Sequence, residues 1–147
     1  MIATFPPPLS ELLEEFAELP DWDERYAYII DLGRQLPRID PALQTQENRV
    51  QGCMSSVWMV GRTESIGAPR MVIVADSDSQ IVRGLIVILL SLFAGRSPAE
   101  VAATDVDAIF GQLGLAQHLS PNRRNGLFAM VGRIRVLAEA QNAAARG

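Results

Sequence analysis

The residue in this sequence best suited to covalent chemistry is Cys53, which stands in Gln51-Gly-Cys-Met-Ser55. A thiolate is a strong nucleophile, but an ordinary thiol with a pKa of about 8.5 is only slightly ionised near neutrality. A neighbouring cation raises the ionised fraction, and Arg49, Arg62, Arg123 and Arg124 are the arginines that can serve. Gly52 permits a tight turn directly before the thiol. Candidate strands lie on either side, the short Asn48–Gln51 and the β-former-rich Ser55–Val60, which puts Cys53 at a loop tip. The plainer reading of a free cysteine is a small buried hydrophobe. As the only cysteine in the chain, it excludes an internal disulfide.

His118, the only histidine, offers a general base for Cys53 in a Cys-His nucleophile pair. Its setting, Leu115-Ala-Gln-His-Leu119, better suits a structural histidine hydrogen-bonded near a helix end. Arg123 and Arg124 follow Ser120-Pro121. If Ser120 caps a helix, both fall in its first turn, where the macrodipole disfavours a cation by about 0.3–1 kcal/mol. That conflict fits an anion site, or two solvated arginines. Asp76 and Asp78 read as caps of the following helix, and as metal ligands they lack local partners. One cysteine and one histidine make no structural zinc site unless carboxylates complete it. Trp58 and the Val57–Val60 residues read as core or sheet face. The GxSxG, HExxH, GxGxxG and CxxC patterns are absent.

The composition narrows the chemistry further. All 13 basic residues are arginine. Without lysine the chain cannot hold pyridoxal phosphate as an internal aldimine, form a lysine Schiff base or supply a P-loop lysine. The net charge of −4 argues against a domain-wide footprint for nucleic acid or anionic lipid. The most apolar stretch, Ile81 to Ala94, is interrupted by Arg83, Gly84 and Ser91. It is shorter than the roughly 18 residues that mark a membrane span. The first residues do not form a secretory signal, so a cytoplasmic location is expected.

These side chains must be positioned by one domain, since 147 residues with 48% hydrophobic content suit a single core. Residues 1–147 are read as that domain, with Met1–Pro8 and the Ala-rich tail peripheral. Ser10 and Asp21 cap two successive helices, the first stopped by Pro20 and the second by Pro37. Asn48–Gln51, Ser55–Val60 and Arg70–Ala75 are candidate strands, with Gly61 to Pro69 as a loop. A buried central helix then runs from about Ile81 to Phe93, with Gly95 at its C-cap. Ser97-Pro98, Asp105 and Ser120-Pro121 open three more helices. Helices, sheet, helices is an α+β order.

Four pieces of the sequence resemble the SufE family of sulfur acceptors. They are Trp22-Asp-Glu-Arg-Tyr-Ala-Tyr-Ile-Ile-Asp-Leu-Gly33, Val50-Gln-Gly-Cys-Met-Ser-Ser-Val-Trp58, Asp76-Ser-Asp-Ser-Gln-Ile-Val-Arg-Gly-Leu85 and Gln117-His-Leu-Ser-Pro-Asn-Arg-Arg-Asn-Gly-Leu-Phe-Ala-Met130. They occur in the family's order from about residue 10 to residue 138. The resemblance implies a fold shared with the Fe–S scaffold IscU: a small antiparallel three-stranded sheet with helices packed on one face. It implies that Cys53 takes persulfide sulfur from a SufS-type cysteine desulfurase, stimulates that enzyme and passes sulfur to the Suf Fe–S scaffold complex. Gly52, Arg123 and His118 are the expected supporting residues; Arg123 matches the family's arginine and Arg124 is extra. No cofactor or metal is expected on this chain, pyridoxal phosphate residing in the partner. It would be a sulfurtransferase-type accessory protein without desulfurase activity of its own. A homodimer and the paralogous sulfinate desulfinase pathway stay open. The rival readings are an Fe–S scaffold, which needs about three or four protein ligands, a cysteine hydrolase, and a non-catalytic adaptor.

Overall fold

Proline and acidic residues set the start of the fold. The computed structural model describes residues 5–65, 67, 69–93 and 95–146, with residues 144–146 described by backbone alone. Of the N-terminal stretch expected to be peripheral, residues 1–4 lie outside the described residues, and Pro7 is buried. Helix α1 (Leu9–Glu18) begins one residue before Ser10, with Pro8 at its N-cap and no side-chain cap. It buries Leu12 and Phe16. Asp21 caps α2 (Trp22–Arg34) by accepting from the Glu24 N–H at 2.9 Å. After a 3₁₀ turn at Pro41–Leu43 the chain enters the cysteine loop.

The sheet has two strands, β1 (Val57–Glu64) and β2 (Arg70–Ser77), paired antiparallel from Val57↔Ser77 to Glu64↔Arg70. This corrects the expected three. Among the described residues, Asn48–Gln51 meets β1 only as the bridge Arg49↔Trp58. Two hydrogen bonds hold it, Val50 N–H to Val57 O at 2.8 Å and Met59 N–H to Asn48 O at 2.9 Å. Asn48 is also tied back into the preceding turn through Thr45 Oγ and Leu43 O. The turn at Gln51-Gly52 follows at once, so no further ladder forms. The hairpin is longer than expected, because Gly61 continues β1 where the sequence read as loop. A Cβ at Gly61 would lie 2.8 Å from the Met71 methyl and 3.2 Å from Leu137 Cβ. Glycine there marks close packing within a strand.

Val57, Met59, Met71 and Ala75 share the buried face of the hairpin. Helix α7 (Pro121–Arg146) lies against that face and adds a hydrogen bond from Thr63 Oγ to Gln141 Oε1 at 2.9 Å. Helix α3 (Gln80–Phe93) is the expected central helix, with Leu85 to Leu89 all buried. It crosses α2 so closely that a Cβ on Gly84 would collide with the Ile29 carbonyl. One on Gly33 would stand 2.7 Å from the Gly84 nitrogen. Three short helices, α4 (Pro98–Ala103), α5 (Val106–Leu113) and α6 (Leu115–His118), lead to α7.

Asp76 and Asp78 do not cap α3. The capping oxygen belongs to Ser79, whose Oγ accepts from the Val82 N–H at 3.5 Å. Asp76, 1% exposed, instead pairs with Arg83, 6% exposed, inside the protein. Arg83 also donates to the carbonyls of Gly33 and Leu36. Asp76 accepts from the N–H groups of Ser77 at 2.8 Å and Ile39 at 3.4 Å. A buried charge pair is tolerable when its remaining hydrogen-bonding capacity is used, and this one joins the end of α2 to the end of β2.

Candidate functional site

Cys53 lies between the bridge at Arg49 and the start of β1, on a loop that Gly52 turns with a φ of +90°. That value is costly for any residue with a Cβ. A Cβ at Gly52 would also press on Ala129 of α7 at 3.3 Å. The turn directs a half-buried Cys53 against α7, where its S–H donates to the Gly126 carbonyl at 3.6 Å. Gly126 is itself bare at the contact: a Cβ there would stand 3.6 Å from Cys53 Sγ.

The thiol closes one side of a small recess of about 50 Å³. Its apolar wall comes from Val82 and Leu85 of α3 and Leu127 and Met130 of α7. Asn122 and Arg123, in the first turn of α7, form the polar rim, with Met54 and Ser55 on the loop side. Burial pushes the Cys53 thiol above its ordinary range, and the charge of Arg49 pulls it partway back. The S–H to carbonyl bond favours the same neutral form. In this position the thiol is sheltered and weakly nucleophilic.

The downstream end of the loop is held by a reciprocal pair of hydrogen bonds. The Ser56 N–H donates to Asp78 Oδ1 at 3.1 Å, and the Asp78 N–H donates to the Ser56 carbonyl at 3.3 Å. Asp78 thus acts on the cysteine loop rather than on α3.

The expected site residues divide clearly. Gly52 directly precedes Cys53 in the turn, and Arg123 lines the same recess as an exposed side chain on its rim. The cation that favours the thiolate is Arg49, not Arg123. Ser120 does cap α7, accepting from the Arg123 N–H at 3.4 Å. Arg124 points elsewhere and donates to the Ala116 carbonyl at 3.2 Å. Arg62 is paired with Glu64 at 3.1 Å. His118 is not part of the recess. Its ring stacks on Trp22 with centroids 4.3 Å apart, and its carbonyl accepts from the Tyr26 hydroxyl. The Cys-His pair considered from the sequence is therefore not assembled. Gly126, Val82 and Leu85 line the recess without standing out by residue type, and Asp78, which reads as a helix cap, bonds to the cysteine loop instead. A glycine inside a helix, as at Gly126, was the one available signal.

Among the described residues, no three His, Cys, Asp or Glu side chains cluster to hold a metal ion. No helix among them is long and apolar enough to cross a membrane.

Residues 10–138 match the family SufE, described as an Fe-S metabolism associated domain. An uncharacterized SufE-like protein of Rhizobium meliloti is 42% identical over 132 residues, covering 89% of this chain and 94% of that protein. Another, from Rhizobium etli, is 43% identical over 139 residues, covering 92% and 93%. The chain belongs to the SufE family.

This ties the SufE chain to Fe–S metabolism. Its fold is shared with a hypothetical protein from Thermus thermophilus solved in solution, at a TM-score of 0.73 and 20% identity, covering 92% of this chain and 96% of that one. Three of the four sequence pieces that resemble SufE converge on the recess: the cysteine loop, the start of α3 and the start of α7. The fourth supplies Gly33, where α2 meets α3, and Trp22, which holds His118.

Proposed function

We propose that this SufE protein accepts sulfane sulfur on Cys53 from the persulfide of a SufS-type cysteine desulfurase, stimulates that enzyme, and delivers the sulfur to a Suf Fe–S scaffold complex. The observation that carries the reading is the placement of the chain's only thiol on a glycine-turned loop above an apolar recess. The step is thiol–disulfide exchange chemistry. The Cys53 thiolate attacks the outer sulfur of the partner's cysteine persulfide. A new S–S bond forms on Cys53, the partner's S–S bond breaks, and the partner cysteine leaves as a thiolate. No external oxidant or reductant is consumed. Pyridoxal phosphate chemistry falls to the partner, because this chain has no lysine.

The sheltered thiol must leave the recess to reach the partner, which makes loop movement a gating step. The persulfide product is protected from further oxidation wherever it is shielded from solvent. Arg123 is suited to gripping a carboxylate of the docked desulfurase, since it is exposed on the rim and Arg49 already supplies the local charge. The cytosol is where a reduced thiol carrier of this kind works.

The test is incubation with a desulfurase, pyridoxal phosphate and free cysteine, followed by intact mass. The expected result is a gain of one or more sulfur atoms on Cys53, reversed by reductant and abolished in Cys53→Ser. No mass gain with a desulfurase of verified activity overturns the proposal. Arg123→Ala should slow transfer more than Arg124→Ala, with Cys53 alkylation in the free protein unchanged.

A further inference from the structure

Met54 is 78% exposed, the most exposed of the large apolar side chains described. It is the immediate neighbour of a cysteine that is turned inward. Cys53 is turned into the recess, and at the bend that follows it Met54 stands on the loop side of that recess with its side chain in solvent. Among the described residues, no backbone hydrogen bond holds residues 51–55. The segment is anchored only beyond its ends, by Val50 to Val57 on one side and Ser56 to Asp78 on the other. Gly52, at φ +90°, supplies a backbone joint at the upstream end.

We propose that residues 52–55 form a two-position rocker in which Cys53 and Met54 alternate in the recess. When the segment turns over, Cys53 swings into solvent and Met54 replaces it against Val82, Leu85, Leu127 and Met130. Methionine suits the role because its unbranched thioether fills irregular apolar gaps. The exchange keeps an apolar side chain in the recess in both positions, so presenting the thiol does not leave an open cavity. Met54 is then a positioning residue for sulfur acceptance. The proposal deepens the function proposed above, yet it concerns the free protein and is read without any desulfurase.

The first measurement is the rate at which a small neutral alkylating reagent modifies Cys53 in the folded protein, normalised to the rate in denaturant. Met54→Gln keeps the length of the side chain but resists burial, and should slow alkylation by about tenfold, given the transfer energy of a methionine side chain. Met54→Leu should stay within about twofold of wild type, since it is close to volume-conserving. The second measurement keeps Cys53 outside by attaching a bulky charged adduct through its sulfur. Oxidation of Met54 by peroxide, followed by peptide mass, should then be slowed severalfold relative to the unmodified protein. Equal alkylation of Met54→Gln and wild type, or undiminished Met54 oxidation in the adduct, overturns the proposal. Normal alkylation of Met54→Gln with slowed sulfur transfer makes Met54 a docking contact instead, and also overturns it. Because alkylation needs no partner, these outcomes are independent of whether Cys53 accepts sulfur.

Discussion

Replacing Asp78 by alanine should release the cysteine loop. The side chain is exposed, and its Oδ1 accepts the Ser56 N–H at 3.1 Å; the return bond from the Asp78 N–H is backbone to backbone and survives the substitution. One solvent-accessible hydrogen bond is therefore lost, with a contribution of about 0.5–1.5 kcal/mol. If turning the loop outward breaks that bond, its removal raises the opening constant by about two- to twelvefold, at about 1.4 kcal/mol per factor of ten. Cys53 in the recess is sheltered, so alkylation of the folded protein reads that constant directly. Asp78→Ala should be alkylated faster by this factor, and Asp78→Asn, which keeps an acceptor oxygen, by less. The whole protein also loses the bond on unfolding, so the thermal midpoint should fall by about 2–4 °C for each kcal/mol. A lowered midpoint with an unchanged alkylation rate would refute the reasoning: the bond would then stabilise the fold without restraining the loop.

The alkylation rate of Cys53 should reach its half-maximum above the pH of an ordinary thiol, and Arg49→Gln should move it higher, because burial raises the thiol and Arg49 is the charge that opposes this. The folded state keeps the thiol proton longer than the unfolded state does. The associated stability is thus complete below the unfolded thiol's pKa and is lost as pH rises through the folded value. Urea denaturation across the alkaline range should show this limb in wild type and not in Cys53→Ala. Asp76→Asn should destabilise the protein by about 3–5 kcal/mol, because it leaves Arg83 buried without its carboxylate, and Arg83→Met by less, because the exposed Arg38 still stands 3.8 Å from Asp76. Urea unfolding measures it, and the double variant should recover part of the loss.

Local chemistry was enough to read much of this protein from its sequence. Asp21, Ser97, Asp105 and Ser120 cap helices where their short polar side chains stand before apolar periodicity. The run from Ile81 to Phe93, apolar on nearly every face, had to be the buried helix. Cys53, as the only thiol and next to a turn-forming glycine, marks the candidate site. The short segment Asn48–Gln51 reads as a third strand, but its sequence says nothing of the turns that confine it to one bridge. Asp76 and Asp78 looked alike in sequence and do different work, since pairing with Arg83 and bonding to Ser56 depend on which chain segments arrive beside them. The same holds for the cations: the exposed Arg123 lines the rim of the recess, while the charge that acts on the Cys53 thiol is that of Arg49. His118 was drawn away by the face of Trp22, 96 positions earlier in the chain, an attraction that spacing cannot reveal. Caps, turns and apolar periods act over a few residues and are written in order along the chain. The recess is made by α3, α7 and the cysteine loop together, and only their packing decides how deeply the thiol sits and which apolar side chains surround it.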